Sequence, residues 1–265
     1  MKIAFIGGGN MAEAMLSALL RDGISPPDGI QVSDLKPERR EYLAQKYGVK
    51  TGESNREAIA GAELVILAVK PQNLAEVMGE LKGKLEPPQL VVSIIAGASI
   101  GKLEDGLAHS RIVRVMPNTP AQVGQGMSVW TATASVSAEQ KALAGSLLKA
   151  MGKEIMVGDD DFIDKATAIS GSGPAYLFLF VESLVAAAES LGFSGETALE
   201  LVLQTVLGSS RYLADSGRPP AELRRMVTSP GGTTAAALAM FEEGRFAEVV
   251  QDAVGAAYQR ARELG

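Results

Sequence analysis

Three clusters of glycine with small polar residues are the places where this sequence could do chemistry. The first is Gly7-Gly8-Gly9-Asn10-Met11-Ala12, which satisfies G-x-G-x-x-G/A through Gly7, Gly9 and Ala12. It follows a short apolar run and opens a helical pattern, the setting in which such a loop cradles a diphosphate. Gly7 permits the tight turn and Gly9 lets the backbone approach the ligand. Ala12 keeps helix and strand close, and the helix N-terminus attracts the anion. The other two are Ser170-Gly171-Ser172-Gly173-Pro174-Ala175 and Thr228-Ser229-Pro230-Gly231-Gly232-Thr233-Thr234. Each precedes a helical pattern, so each is expected to offer N–H groups and hydroxyls to an anion, a carboxylate being a natural guest.

Neither later cluster contains His, Cys, Tyr or a pair of carboxylates. The chemistry is therefore expected to need no strong side-chain base. Hydride transfer to an electrophilic C=N bond suits that absence, because a nicotinamide would supply the reductant. At the end of the second expected strand, Asp34 stands where a ribose-binding acid belongs, 25 positions after Gly9. Ser33, Lys36, Arg39 and Arg40 pull the other way, since they could solvate a 2′-phosphate. Both NADH and NADPH are expected to work. Lys70, at the end of another apolar run, can meet a phosphate or a ribose hydroxyl. Ala96-Gly97 ends a third run, and two prolines stiffen the loop Met116-Pro117-Asn118-Thr119-Pro120 around Asn118.

The 29 glycines among 265 residues are about 11%, above an average near 7%. The net charge of −6 makes a poor general nucleic-acid binder. No cysteine is present, which excludes disulfides, thiolate zinc sites and a cysteine nucleophile. The single histidine, His109, excludes His–His metal motifs and is expected at the surface; no metal is expected. The apolar start Met1–Ile6 is too short for a signal sequence, and the stretch Ala175–Val181 is too short to span a bilayer. A soluble, cytoplasmic protein is expected.

The elements that must hold these residues alternate in the first half. Lys2–Ile6, Ile30–Ser33, Leu64–Val69, Leu90–Ile95 and Arg111–Val115 read as strands, most of them apolar on both faces. Helical patterns at Asn10–Arg21, Pro37–Tyr47, Pro71 to about Gly83, and Ile100–Leu107 lie between them. Gln125–Thr131 and Glu154–Val157 read as later strands around a helix Ser137–Met151. This predicts a mostly parallel, doubly wound sheet in an α/β domain over residues 1–159. Residues 160–265 read as all helical: Pro174–Leu191, Gly195–Asp215, Pro220–Thr228, Thr233–Glu243 and Phe246–Leu264. Several of these helices are apolar on more than one face, which predicts pairing with a second copy and at least a dimer.

With these motifs in place, the chain resembles the Δ1-pyrroline-5-carboxylate reductases over nearly its whole length. The resemblance rests on Phe5-Ile6-Gly7-Gly8-Gly9-Asn10-Met11, Ala68-Val69-Lys70-Pro71, Met116–Pro120, Ser170–Tyr176 and, most specifically, Thr228–Thr234 running on to Leu238 and Phe241-Glu242. It implies reduction of a cyclic imine to L-proline with NADPH or NADH. It also implies a Rossmann domain followed by a helical dimerisation domain, and homodimers that assemble further, five to a decamer in many members. Ser229 and the backbone of Gly231, Gly232 and Thr233 would then hold the substrate carboxylate, and Thr234 would hydrogen-bond the ring nitrogen as the catalytic residue. Asn118 would line the nicotinamide side of the substrate. The implied coenzyme-binding set is Ile6, Gly7, Gly8, Gly9, Asn10, Met11, Ser33, Asp34, Lys36, Asn55, Ala68, Val69, Lys70, Pro71, Ala96 and Gly97. A β-hydroxyacid dehydrogenase is the nearest alternative, but the helix Pro174–Leu191 lacks the lysine those enzymes place there. A nucleotide sensor without turnover is the other, and it would not need a second anion site.

Overall fold

A computed structural model describes residues 1–264. Eight strands form one sheet: β1 (Ile3–Ile6), β2 (Ile30–Ser33), β3 (Lys50–Gly52), β4 (Leu64–Leu67), β5 (Leu90–Ser93), β6 (Ile112–Met116), β7 (Gly126–Ala132) and β8 (Gly152–Met156). Twelve α-helices accompany them. In the first part these are α1 (Asn10–Arg21), α2 (Pro37–Tyr47), α3 (Asn55–Ile59), α4 (Leu74–Leu81), α5 (Ile100–Leu107), α6 (Ala138–Lys149) and α7 (Asp160–Ala166). Then follow α8 (Gly173–Ser190), α9 (Gly195–Ser216), α10 (Pro220–Met226), α11 (Thr233–Glu243) and α12 (Phe246–Leu264).

The strand order is β3-β2-β1-β4-β5-β6-β7-β8, and every pairing is parallel except β6 with β7. The expected doubly wound sheet is therefore present, and no described strand follows Met156. Alternation along the strands explains its two covered faces. Ile3 and Phe5 join one core with α1, Leu43 of α2 and α6; Ala4 and Ile6 join the other with α3, α4 and α5. β3 was not anticipated, because three residues with no apolar run carry no periodic signal. Pro71–Asn73 forms a 3₁₀ turn before α4, so that helix begins later than Pro71.

His109 is a correction. It is buried, and its Nε2 lies 2.8 Å from the Gln89 carbonyl oxygen. The left-handed turn at Ala108, with φ of 52°, ends α5 and carries the next side chain inward, which polarity alone does not reveal.

The chain divides into two compact units, residues 1–174 with 256–265, and residues 175–255. The C-terminal residues belong to the first unit through contacts such as the Tyr258 hydroxyl donating to Asp161 Oδ1 at 2.5 Å. The second unit is helical and leaves many large apolar side chains exposed, among them Phe178 at 63% and Leu179 at 64%. α7, a π-helical turn at Thr167–Gly171, and α8 run on as one helix, Asp160–Ser190, of 31 residues. By length and composition alone this helix could cross a membrane, although the apolar run Ala175–Val181 looked too short.

α2 is mostly polar and buries only Leu43, so its seat on α1 depends on side-chain bonds. Glu13 of α1 accepts from Arg39 at 2.5 Å, Tyr47 at 2.8 Å, Tyr42 at 2.9 Å and Lys46 at 3.0 Å, all on α2. Burial pushes the Glu13 carboxyl up, but the bonds from Arg39, Lys46, Tyr47 and Tyr42 outweigh it and pull it down to about 2. A depressed carboxylate stabilises the fold above its unfolded value, about 4.3, and that contribution is lost as pH falls toward 2. Glu13→Gln should therefore melt below the parent at neutral pH, and the gap should close as pH falls from about 4.3 to 2. Thermal melts at stepped pH would refute this if the gap stayed constant.

Candidate active site

Order in the sheet reverses at β1, which lies between β2 and β4, so the crevice at its carboxyl end is where an open parallel sheet binds ligands. The glycine loop leaves β1 there. Gly7 has φ of +95°, and a Cβ on it would stand 2.8 Å from the Ala68 carbonyl oxygen. Its N–H donates to the Ser33 carbonyl at 2.8 Å. Gly9 has open space around it and caps α1 with no side-chain bond. The first N–H groups of α1 are thus left for a ligand.

A cleft of about 800 Å³ opens at this edge. Its lining includes Gly7, Gly9, Asn10, Ser33, Asp34, Lys36, Asn55, Ala68, Val69 and Lys70 from the expected coenzyme set. Ile6, Gly8, Met11, Pro71, Ala96 and Gly97 do not line it. Ile6 is wholly buried, and Gly8 turns its N–H to Asp34 Oδ2 at 2.8 Å. Gly97 has φ of +72° and lies under Leu264. The cleft also gathers Glu38, Glu53, Glu76 and Glu80, which sequence reading did not single out. Glu53 lies just past a strand end and Glu38 in a first helical turn, so strand ends would have been the signal to follow.

The polar groups of the cleft form a connected set. Asp34 Oδ1 accepts from the Lys36 N–H at 2.9 Å. Ser33 is buried, and its hydroxyl faces Asn55 Oδ1 at 2.7 Å and the Phe5 carbonyl at 3.2 Å. Asn55 Nδ2 in turn donates to Glu80 Oε2 at 2.7 Å. Arg39 donates to the Gly8 carbonyl, and Arg40 donates to the Asp34 carbonyl at 2.7 Å. The open cradle at Gly9, the uncapped helix and the carboxylate after β2 fit a nicotinamide dinucleotide.

A second group lies where β6 ends. Asn118 donates to the Ser170 carbonyl at 3.0 Å and accepts from the Met127 N–H at 2.9 Å. Its amide thus ties the exit of β6 to β7 and to the π turn. The cluster at Ser170–Gly173 needs correction, for it does not begin a helix. The Ser172 N–H bonds the Thr167 carbonyl at 2.8 Å, five residues back, so the helix runs through it. Gly171 is small because a Cβ there would lie 2.6 Å from Met116 Cε. Arg114, which the sequence reading passed over, is only 2% exposed on β6 and reaches Asp160 at 3.0 Å and Asp164 at 2.6 Å. Asp160 Oδ2 also accepts from the Ile100 N–H at 2.7 Å.

In the second unit, α10 ends at Met226 and the chain turns through Thr228–Gly232 into α11. Gly232 N–H donates to the Ser229 carbonyl at 3.0 Å around Pro230 and Gly231. Gly231 has φ of +70°, the sign a type II turn demands there. A Cβ on Gly232 would stand 2.5 Å from Ser229 Oγ, so only glycine lets that hydroxyl lie over the helix start. No side chain caps α11. Ser229, Gly231, Gly232, Thr233 and Thr234 are thereby gathered at one uncapped helix N-terminus.

Residues 160–264 match the family described as pyrroline-5-carboxylate reductase dimerisation, and residues 2–97 match NADP oxidoreductase coenzyme F420-dependent. The chain is 47% identical to the pyrroline-5-carboxylate reductase of Pseudomonas aeruginosa, over 99% of this chain and 96% of that one. It is 38% identical to that of Arabidopsis thaliana, over 99% and 95%. Its fold is similar to that of a pyrroline-5-carboxylate reductase from Coxiella burnetii, with a TM-score of 0.91 and 42% identity over 100% and 98% of the two chains. A pyrroline carboxylate reductase from Plasmodium falciparum, solved with NADP bound, gives 0.91 and 32% over 100% and 98%. With its glycine cradle at β1 and its Ser229–Thr234 turn, the chain belongs to the pyrroline-5-carboxylate reductase family.

Proposed function

We propose that this protein reduces Δ1-pyrroline-5-carboxylate to L-proline, the last step of proline biosynthesis, with NADH or NADPH as reductant. The observation that carries the reading is the Ser229–Thr234 turn. It presents a glycine-capped helix start and three hydroxyls, with no acid or base among them. Family membership names the cyclic imine acid, and the turn has the chemistry to hold one.

The Ser229 hydroxyl and the N–H groups of Gly231 and Thr233 bind the substrate carboxylate, the Gly232 N–H closing the turn onto Ser229 that shapes this site, and the helix dipole favours the carboxylate's charge. The Thr234 hydroxyl hydrogen-bonds the ring nitrogen and fixes the face of the ring. A protonated imine already carries its proton and its electrophilic carbon, so orientation replaces base catalysis. Gly9, Asn10 and the free N–H groups at the start of α1 would hold the diphosphate of the coenzyme, with Gly7 and Gly8 bonded to β2 and Asp34 to shape that cradle, and Lys70 would meet a phosphate or ribose hydroxyl. When bound, the reduced nicotinamide supplies the hydride.

Exposed apolar helices and the match to a dimerisation family support a homodimer built from residues 160–264; assembly of five such dimers into a decamer is the larger state proposed. A second subunit covering the helix Asp160–Ser190 accounts for its apolar surface without a membrane. The net charge of −6 speaks against nucleic acid as a partner. The cytoplasm is the compartment proposed.

Coenzyme oxidation on adding pyrroline-5-carboxylate is the direct test, and a rate equal to the blank would refute the activity. Thr234→Ala should lower kcat/KM on the order of tenfold to a thousandfold by loss of a transition-state hydrogen bond, with coenzyme affinity unchanged. Full turnover in that variant would remove Thr234 from the mechanism. Replacing Phe178 and Leu179 together by Glu should shift sedimentation toward monomer, since each would bring charge into an apolar face. Unaltered sedimentation would place the interface elsewhere.

A further inference from the structure

We propose that Asp34 makes the cleft select NADH over NADPH, an inference that rests on the cleft being the coenzyme site. The carboxylate is fixed from two sides: Oδ2 accepts the Gly8 N–H at 2.8 Å and Oδ1 accepts the Lys36 N–H at 2.9 Å. Turning it away would leave both N–H groups without partners, which resists any swing to admit a phosphate. A carboxylate offers about four lone-pair sites, so two acceptor positions stay open for ribose hydroxyls. A 2′-phosphate would instead set two anions against each other.

The cations that could offset that repulsion are mostly committed. Arg39 donates to the Gly8 carbonyl and to Glu13 at 2.5 Å. Arg40 donates to the carbonyls of Asp34 at 2.7 Å and Leu35 at 3.1 Å, and its guanidinium lies 3.8 Å from Glu53. The Ser33 hydroxyl points into the fold, toward Phe5 and Asn55. Lys36 is the remaining cation beside Asp34, and Glu38 and Glu53 line the same cleft. The carboxylates at this end thus outnumber the cations free to meet a phosphate. Asp34 has a second duty as well, because its bond to Gly8 orients the glycine loop.

Calorimetric titration of the whole protein tests this without turnover. The probes are NADH against NADPH, and adenosine 5′-monophosphate against adenosine 2′,5′-bisphosphate. The parent should bind the member of each pair that lacks the 2′-phosphate at least about tenfold more tightly. Asp34→Asn keeps one acceptor, for Gly8, gives up the bond from the Lys36 N–H and removes the charge, so the ratio should collapse by about tenfold. Lys36→Glu leaves the Gly8 strap alone and should widen the ratio, which keeps the test open should Asp34→Asn unfold. Equal or tighter binding of the 2′-phosphorylated probes by the parent would overturn the proposal, as would an unchanged ratio in both variants. Binding of none of the probes would overturn it together with the coenzyme reading of the cleft. Selective binding without pyrroline turnover would sink the proposed substrate and leave this inference standing.

Discussion

The structure depends on how closely the backbone at Gly7 passes the backbone at Ala68. β1 lies between β2 and β4, and at its end the chain must turn into α1 without striking the exit of β4. A Cβ at Gly7 would fall 2.8 Å from the Ala68 carbonyl oxygen, and the residue holds φ of +95°. Only glycine meets both conditions. Once the turn is made, the N–H of Gly7 bonds Ser33 at the end of β2, and the N–H of Gly8 bonds Asp34. Arg39 of α2 takes the Gly8 carbonyl from the other side. One peptide approach therefore fixes the relation of three strands and two helices, and leaves the cleft at their meeting point.

The sheet is tied to the long helix by a different device. Arg114 sits inside the fold between Asp160 and Asp164, and Asp160 also takes the Ile100 N–H. Breaking such a buried pair from one side typically costs about 3–5 kcal/mol, because an uncompensated charge remains. A few residues on, the helix widens into a π turn whose Ser170 carbonyl accepts Asn118. Gly171 lets Met116 close on that turn. The ion pairs and the turn together hold the exit of β6, the loop from which the Met116–Pro120 motif projects.

Legibility in the sequence followed the physics of each element. β1, β4 and β5 were readable because strands buried on both faces are apolar without interruption, and the glycine loop because its spacing has one purpose. β3 has three residues and no apolar run. Arg114 was hidden because a charged residue inside an apolar strand looks like a flaw in the pattern until its two aspartates are seen, and those lie 46 and 50 positions away. The π turn was hidden because Ser, Gly and Pro argue for a helix start. Within a helix already under way, Pro174 sits just after the widened turn, where the regular bonding is interrupted in any case. His109 was misplaced by one left-handed residue, Ala108.

Helix starts separate binding from scaffolding. α3, α5, α6, α7 and α9 begin at Ser54, Ser99, Ser137, Asp159 and Ser194, and each of those side chains accepts a bond from its own first turn. Those turns have spent N–H groups on themselves. α2 and α10 begin with proline, which has no N–H to offer, and α4 continues from a 3₁₀ turn. α1 and α11 differ: each follows a glycine, and neither has a side-chain cap. Glycine at that position costs a helix only a few tenths of a kcal/mol relative to a capping side chain. In return the first-turn N–H groups stay unclaimed, and no Cβ keeps an anion at a distance. The two helices that the reading assigns to diphosphate and carboxylate thus both start behind a glycine, with no side-chain cap and no proline in the first turn, at little loss of stability.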